Sequence, residues 1–270
     1  MGWVEGKRLW ITGASSGIGR SLAVAVAAAG GRVILSGRSA DRLEETAKLC
    51  RGAAGGEAAA DPVEILPFDV ADPAARREAL AGVAAPLHGL INNAGVSQRS
   101  LVSDTSPEVY EKLWQTNMQS AVELTLGALP LIRAGGEGRI VAVSSIAAEL
   151  YGPLRSGYGA TKAAMNAFFY SLRTELWEAG IRVTVVIPGF LRTDVSKNAL
   201  TGEGGSYGVV DRFQANGLDP DRGAPRILAA VEKGRRICRL GMTPKLRYGL
   251  AVRTLVPALF DRVMRNANVT

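Results

Sequence analysis

Residues 12–19 read TGASSGIG, and they join the apolar run RLWIT (8–12) to the Ala-rich run GIGRSLAVAVAAAGG (17–31). The glycines of this stretch follow the spacing G-x-x-x-G-x-G. A strand, a glycine turn and a helix in this order bring backbone N–H groups and a helix N-terminus close to a pyrophosphate. The stretch therefore predicts a dinucleotide-binding turn formed by Gly13, Ser15, Ser16, Gly17, Ile18 and Gly19.

On both sides of this turn, strand-like apolar runs alternate with Ala-rich segments of helix length. Predicted strands cover residues 8–12, 32–36, 63–70, 87–93, 138–145 and 181–189. Predicted helices cover residues 17–31, 40–50, 72–83, 106–133 and 157–179. The strands are continuous Val, Ile and Leu runs, which are typical of strands buried on both faces of a parallel sheet. The predicted fold class is therefore α/β: a single-domain, doubly wound (Rossmann), mostly parallel sheet flanked by helices.

Length and composition fit one domain. The chain has 270 residues, 47% of them hydrophobic, which is ample for one sizeable core. We expect a single domain over residues 1–270, with residues 190–217 as a substrate-covering insertion and residues 243–265 as a C-terminal helical extension. No apolar run approaches the roughly 20 residues that span a bilayer, and the first residues lack the layout of a signal peptide. A cytoplasmic protein is therefore expected.

Charge and metal-ligating residues exclude several function classes. The formal net charge is +7, but basic residues are scattered among acidic ones as far as residue 230. A nucleic-acid-binding module is therefore disfavoured, because it would need a clustered basic patch or a recognised motif. Cys50, Cys238 and the single histidine, His88, are far apart in the sequence, so no metal site is predicted.

The residue after the second strand bears on the choice of dinucleotide. Dinucleotide folds commonly place an acid there for the ribose hydroxyls, whereas this sequence has Gly37 and then Arg38. A guanidinium suits a 2′-phosphate, so NADP(H) is predicted, with a solvated loop arginine as the alternative. After the third strand, Asp69 and its neighbour Val70 are candidates for the adenine pocket, and a simple turn aspartate is the competing interpretation.

A tyrosine and a lysine stand four residues apart in YGATK (158–162). Tyr158 and Lys162 therefore share one face of a predicted helix. An ammonium near a phenol lowers the pKa of the phenol and makes it a better proton shuttle at neutral pH. Ser145 ends the predicted fifth strand, at the sheet edge where ligands bind, and its hydroxyl could hold a substrate carbonyl beside Tyr158. These three residues are candidate catalytic groups.

Together these motifs resemble the short-chain dehydrogenase/reductase superfamily over nearly the whole chain. The resemblance rests on TGASSGIG, NNAG (92–95), Asn117, Ser145, YGATK and PG (188–189) followed by Thr193, in the family's order. The stretch PGFLRTDVSKNALTGEGGSYGVVD (188–211) is similar to the dehydrogenase/reductase member 7 branch, whose relatives include the 11-beta-hydroxysteroid dehydrogenases. One departure is Ser16, where many NADP-linked members carry a second basic residue, so Arg38 remains the main cofactor discriminator.

The resemblance implies roles for further residues. Asn117 would anchor a water that relays protons from Lys162, and Lys162 would also hold the nicotinamide ribose. The remaining cofactor contacts implied are Asn93, Ala94, Gly95, Pro188, Gly189 and Thr193. The implied activity is hydride transfer between NADP(H) and a hydrophobic small-molecule ketone, aldehyde or secondary alcohol, in a homodimer or homotetramer.

Two questions stay open on the sequence. The stretch TPKLRYGLAVRTLVPALFDRVM (243–264) resembles a basic amphipathic helix interrupted at Pro257. It could pack over the substrate pocket, touch a membrane surface or form an oligomer contact. A non-catalytic cofactor-binding protein on the same fold is the alternative to an enzyme, although such a protein would be expected to have lost Tyr158, Lys162 or Ser145.

Overall fold

A computed structural model describes residues 2–54 and 61–265, and these residues form one seven-stranded sheet. Every neighbouring pair of strands runs parallel, in the order β3-β2-β1-β4-β5-β6-β7. The strands are β1 (Arg8–Thr12), β2 (Arg32–Gly37), β3 (Val63–Pro67), β4 (Gly89–Asn92), β5 (Arg139–Val143), β6 (Arg182–Pro188) and β7 (Ile237–Leu240). The strand order reverses between β1 and β4, where doubly wound sheets bind ligands. The predicted fold class is confirmed.

Helices cover both faces of this sheet. They are α1 (Gly17–Ala28), α2 (Ala40–Ala53), α3 (Pro73–Gly82), α4 (Pro107–Trp114), α5 (Ser120–Ala134), α6 (Ser156–Glu175), α7 (Arg212–Ala215), α8 (Pro220–Glu232), α9 (Pro244–Leu255) and α10 (Pro257–Arg265). A π-helical turn over Gln115–Gln119 joins α4 to α5, and short 3-10 turns cover Val102–Asp104 and Ile146–Ala148.

The sheet separates two hydrophobic clusters. One lies under α1, α2 and α8 and is built on residues such as Leu22, Val26 and Ile227. The other lies under α3, α5 and α6 and is built on residues such as Leu124 and Phe169. Both faces of the central strands are therefore buried, which is the physical reason for their continuous apolar sequences.

Several predicted boundaries were wrong. The third strand ends at Pro67, because Asp69 Oδ1 accepts a hydrogen bond from Ala71 N at 2.9 Å and turns the chain toward α3. The fifth strand ends at Val143, since the Ser145 side chain caps the following 3-10 turn. The predicted helix 106–133 is three segments, because the π-helical turn interrupts it.

Three elements were not predicted: helix α8, strand β7 and the four-residue helix α7. Helix α8 follows an Asp219 N-cap whose side chain accepts from Asp221 N, with Pro220 in its first turn. Strand β7 is only four residues long and reads ICRL, which is too short and too mixed for a strand signal. Strand β7 pairs with β6 and forms the edge of the sheet, and α8 packs against these two strands.

The C-terminal segment 243–265 folds as the two helices α9 and α10, separated before Pro257. Leu246 and Leu250 of α9 pack against the α6 side of the sheet. Phe260 of α10 packs edge-to-face on Tyr151, with ring centroids 5.0 Å apart. In the part of the chain that the structure describes, no helix is both long and apolar enough to cross a bilayer.

Candidate active site

The glycine turn forms a close-packed cradle at the carboxyl end of β1. Gly13 has φ = 64°, a conformation that favours glycine, and a Cβ there would lie 2.9 Å from Ala94 Cα. A Cβ at Gly19 would lie 2.2 Å from the Gly13 carbonyl oxygen, so the first turn of α1 fits against β1 only without a side chain. Backbone N–H groups at this helix start are therefore exposed to an anion rather than covered by side chains.

Asn93 and Thr12 fix the shape of the turn. Asn93 Nδ2 donates to the carbonyls of Thr12 and Gly13, at 3.0 and 3.1 Å. Thr12 Oγ1 accepts from the backbone N–H groups of Asn93 and Ala94, at 3.0 and 3.1 Å. The NNAG motif thus ties the end of β4 to the glycine turn. Thr12 was not predicted as a site residue, although it directly precedes Gly13.

The N-terminus of α1 suits a pyrophosphate. Ser16 is its N-cap residue but makes no side-chain capping hydrogen bond, and no acidic residue lies in the first turn. Ser15, Gly17 and Ile18 are partly exposed beside it. The positive end of the helix dipole and free backbone donors therefore converge on one place, and these residues fit the diphosphate of a dinucleotide.

The adenosine end of the cradle is marked by Arg38. This side chain is exposed at the end of β2, and it forms no ion pair with any carboxylate in the described residues. A Cβ at the preceding Gly37 would lie 3.4 Å from Ser15 Oγ, so Arg38 adjoins the glycine turn. Asp69 makes the turn hydrogen bond to Ala71, while Val70 is buried. One carboxylate oxygen of Asp69 therefore acts as expected for a turn aspartate, which was the competing interpretation.

Tyr158 and Lys162 lie one turn apart near the start of α6, with 8% and 3% of their surfaces exposed. Gln98, fully buried in the segment after β4, caps this helix: its Oε1 accepts from Gly157 N at 2.8 Å and Tyr158 N at 3.4 Å. Sequence reasoning missed Gln98, because nothing in VSQRS marks it as a cap for a helix more than 50 residues away. The cap fixes the turn of α6 that holds Tyr158.

Burial dominates the electrostatics of Tyr158. It raises the pKa of the phenol, while a hydrogen bond with Ser145 and the charge of Arg155 oppose that rise. Ser145 and Arg155 therefore act on this pKa in the direction that the sequence predicted for Lys162. Ser145 follows β5, is partly exposed, and its Oγ also accepts from Ala147 N at 3.1 Å.

Lys162 is itself strongly affected by burial, which lowers its pKa to about 8. Its Nζ donates to the Val143 carbonyl at 2.9 Å, at the end of β5. A Cβ at Gly95 would lie 3.3 Å from the same Nζ, so the amine faces the partly open surface formed by the NNAG motif. Because Gly95 has no side chain, nothing at this position blocks the approach to the Lys162 amine.

Asn117 lies in the π-helical turn and is fully buried. Its Oδ1 accepts from Val96 N at 2.8 Å, and its Nδ2 donates to Val96 O and Thr161 Oγ1, at 2.9 and 3.0 Å. The side chain therefore joins the segment after β4 to α6, between Tyr158 and Lys162.

The other wall of the cradle follows β6. Pro188 ends the strand, and Gly189 N donates to Leu240 O at 2.8 Å, at the end of β7. The Thr193 methyl would lie 3.1 Å from a Cβ on Gly17, so residues 188–193 face the glycine turn directly. The carboxyl ends of β1 to β6 lie at one edge of the sheet, and the predicted cofactor and catalytic segments follow or adjoin these ends.

A cleft of about 1050 Å³ opens beside this wall. Its apolar lining includes Phe190, Phe213, Met242 and Leu250, from the 190–217 segment, the end of β7 and α9. Cationic side chains line it as well: Arg212, Arg226, Arg239, Lys245 and Arg247. Tyr158 and Ser145 do not line this cleft, which meets the site at Phe190, next to Gly189.

Residues 2–54 and 61–265 contain no group of His, Cys, Asp or Glu side chains that could hold a metal ion.

Sequence comparison agrees with this geometry. The profile of the short chain dehydrogenase family matches residues 7–204. The chain belongs to the short-chain dehydrogenase/reductase family. The cattle protein "Dehydrogenase/reductase SDR family member 7B" is 41% identical over 262 residues, which cover 94% of this chain and 79% of the relative. The resemblance to the dehydrogenase/reductase member 7 branch is thereby confirmed.

Solved short-chain dehydrogenase/reductase structures share the fold. A short-chain dehydrogenase from Sphingobium yanoikuyae in complex with NADPH has a TM-score of 0.75 and 25% identity, covering 98% of this chain and 97% of that one. A short-chain dehydrogenase from Streptomyces avermitilis has a TM-score of 0.79 and 28% identity, covering 97% and 96%. Family membership and the fold establish an oxidoreductase of this family built around a nicotinamide cofactor site.

Proposed function

We propose that this protein is an NADP(H)-dependent oxidoreductase that interconverts a hydrophobic ketone or aldehyde and the corresponding alcohol. The observation that carries the proposal is the buried Tyr158–Lys162 turn, with Ser145 hydrogen-bonded to Tyr158, at the sheet edge that also holds the glycine cradle. A cofactor-binding protein without catalysis would need the cradle and would have no use for a buried phenol and amine beside it.

The proton chemistry belongs to the chain's own residues. A reduced nicotinamide, when bound, supplies the hydride for the carbonyl carbon. Tyr158 donates its phenolic proton to the carbonyl oxygen, and the Ser145 hydroxyl donates a hydrogen bond to the same oxygen as negative charge develops there. Lys162 returns a proton toward Tyr158, with a water on the Asn117 backbone as the path to solvent. Alcohol oxidation uses the same groups in reverse.

The preference for NADP(H) is argued from Arg38. Arg38 is exposed, follows Gly37, which adjoins Ser15, and is not engaged by a described carboxylate, so its guanidinium can form a two-pronged contact with a 2′-phosphate. An acid at this position would repel that phosphate and favour the free ribose hydroxyls of NAD(H). The Sphingobium neighbour, which was solved with NADPH, is consistent with this preference.

The substrate class is argued from the cleft beside the site. Phe190, Phe213, Met242 and Leu250 offer an apolar wall for a bulky substrate next to Gly189. Of the three interpretations of residues 243–265, packing over the pocket is supported by α9, which contributes Lys245, Arg247 and Leu250 to this cleft. We also propose a cytoplasmic protein that binds no nucleic acid, since basic residues are scattered among acidic ones as far as residue 230.

The test is the loss of NADPH absorbance by purified protein with aliphatic, aromatic, retinoid and steroid carbonyls. We expect turnover with NADPH, at least about 10-fold less with NADH, and a loss of at least about 100-fold in kcat in Tyr158→Phe. The control variant is Tyr151→Phe, because Tyr151 lies on the α10 side and bonds Asp261 rather than the site. Tight NADPH binding by the wild type with no turnover of any carbonyl or alcohol would instead identify a binding protein.

A further inference from the structure

A cluster of three charged side chains lies beside the catalytic helix, and none of the three is among the predicted site residues. Arg99 Nη1 donates to Asp211 Oδ2 at 3.2 Å, and Arg99 Nη2 lies 3.0 Å from Asp211 Oδ1. Arg155 Nη2 forms a short ion pair with Asp211 Oδ2. The side chains of Arg99 and Asp211 are 3% and 11% exposed, whereas that of Arg155 is 24% exposed.

The three residues come from three different segments. Arg99 lies after β4, Arg155 immediately precedes α6, and Asp211 lies near the end of the 190–217 segment. Ser196 Oγ accepts from Asp211 N at 2.9 Å, so the carboxylate is braced from within its own segment. The Asp211 carboxylate therefore joins the 190–217 segment to the segment after β4 and to the residue that precedes α6.

The backbone around the cluster is correspondingly constrained. Arg99 N donates to Leu200 O at 2.7 Å, and Leu200 N donates to Ser97 O at 2.8 Å, so the two segments run alongside each other. Leu154, next to Arg155, has φ = 69°, an unusual conformation for leucine, and its carbonyl accepts from Ser100 N at 3.1 Å. Arg155 is held in place by its neighbours as well as by Asp211.

We propose that Asp211 is a positioning residue that fastens the 190–217 segment over the site and holds the Arg155 guanidinium at the N-terminus of α6, the helix that carries Tyr158. The Asp211 carboxylate thereby has two effects: it fastens the 190–217 segment, and it holds a cation at the helix that carries the proton donor. This inference rests on the proposed function for its second half only, since the fastening of the segment does not depend on catalysis.

The electrostatic part has a definite sign. Arg155 is the charged residue that opposes the effect of burial on the pKa of Tyr158. The other charged or titratable groups around this turn are Lys162 on α6, Arg99 and Asp211 in the cluster, and Tyr110 of α4, whose Oη lies 3.2 Å from Ser156 Oγ. Removing the Arg155 charge raises the pKa of Tyr158, so alcohol oxidation needs a higher pH.

The first experiment is limited trypsin digestion without added cofactor, read as the rate of cleavage after the exposed Lys197. Asp211→Asn keeps the shape of the side chain but leaves two arginines without their shared carboxylate, so cleavage becomes about 10-fold faster or more. The matched control is Glu64→Gln, which breaks the Arg8–Glu64 ion pair at the opposite end of the strands. Cleavage of Asp211→Asn at the wild-type rate overturns the fastening role.

The second experiment is the pH dependence of kcat for alcohol oxidation. Arg155→Gln shifts the apparent pKa upward by about half a unit or more, and Arg155→Lys restores it because the cation is retained. An unchanged profile in a folded Arg155→Gln protein overturns the electrostatic role. If the wild type oxidises and reduces nothing, the proposed function fails, and the trypsin result still decides whether Asp211 fastens the segment.

Discussion

Lys162 combines a functional advantage with a thermodynamic cost. Its amine is 3% exposed and bonds only the Val143 carbonyl and, at 4.0 Å, the Met165 sulfur among the described residues. Burial lowers its pKa from 10.5 to about 8, so protonating it is harder in the folded chain than in the unfolded one. An amine that titrates near physiological pH can exchange protons with Tyr158 far more readily than a solvated lysine.

The free-energy cost of burying the Lys162 ammonium predicts that Lys162→Met stabilises the folded protein. Below about pH 8 the folded protein must carry a buried ammonium, and this penalty disappears as pH rises toward 10.5, where the unfolded chain also loses its proton. We therefore expect the variant to be inactive yet more stable than the wild type by about 1–3 kcal/mol at pH 7. Urea denaturation at pH 7 and pH 10 measures this, and the difference should shrink at the higher pH. A variant less stable than the wild type at pH 7 would contradict it.

At the scale of elements, the glycine turn and α6 depend on contacts from distant segments. The first turn of α1 approaches β1 so closely that the Gly13 carbonyl occupies the space of a Gly19 side chain. The start of α6 is capped by Gln98 rather than by its own N-cap residue, Arg155, which makes no side-chain capping bond. The cofactor cradle and the Tyr158 turn are therefore shaped by the ends of β1 and β4.

The close approach in the cradle predicts the effect of Gly19→Ala. A Cβ at 2.2 Å from a backbone carbonyl cannot be accommodated without moving α1 or the turn, so the backbone donors lose their alignment. We expect NADPH affinity to fall by about 10-fold or more and the midpoint of thermal unfolding to drop. Fluorescence titration with NADPH is the measurement. Gly52→Ala is the control, since a Cβ there meets no atom within 4 Å. Equal affinities in the two variants would refute the tight-cradle account.

At the scale of the whole molecule, two of the regions with exposed apolar side chains are helical surfaces. Trp114 ends α4 and Leu126 lies on α5, the helices on either side of the turn that carries Asn117, and they are 42% and 53% exposed. On α9, α10 and their junction, the exposed apolar side chains are Tyr248, Leu255, Val256, Leu259 and Val263. Exposed apolar groups of this kind are suited to contact with another surface.

The first region predicts a homo-oligomer, either a dimer or a tetramer. We expect light scattering to give a mass of at least two chains, because pairing of the α5 faces would bury Leu126. Leu126→Glu should reduce the mass toward that of one chain by placing a charge in the contact. Leu49→Glu is the control, because Leu49 is similarly exposed, at 51%, but lies on α2 at the far side of the sheet. A wild-type protein that stays monomeric at high concentration would refute this prediction.

The sequence by itself determined the doubly wound fold, the glycine turn and the Tyr158–Lys162 pair, because each is written in local spacing: apolar runs, glycines at fixed intervals, and residues one helical turn apart. Only the tertiary structure decided the edge strand β7, the cap that Gln98 provides and the Arg99–Asp211–Arg155 cluster. The contacts in the last two cases join residues 56 to 112 positions apart, and no local pattern encodes such contacts. The protonation behaviour of Tyr158 and Lys162 also depended on the fold, since burial, which the sequence does not specify, sets both pKa values.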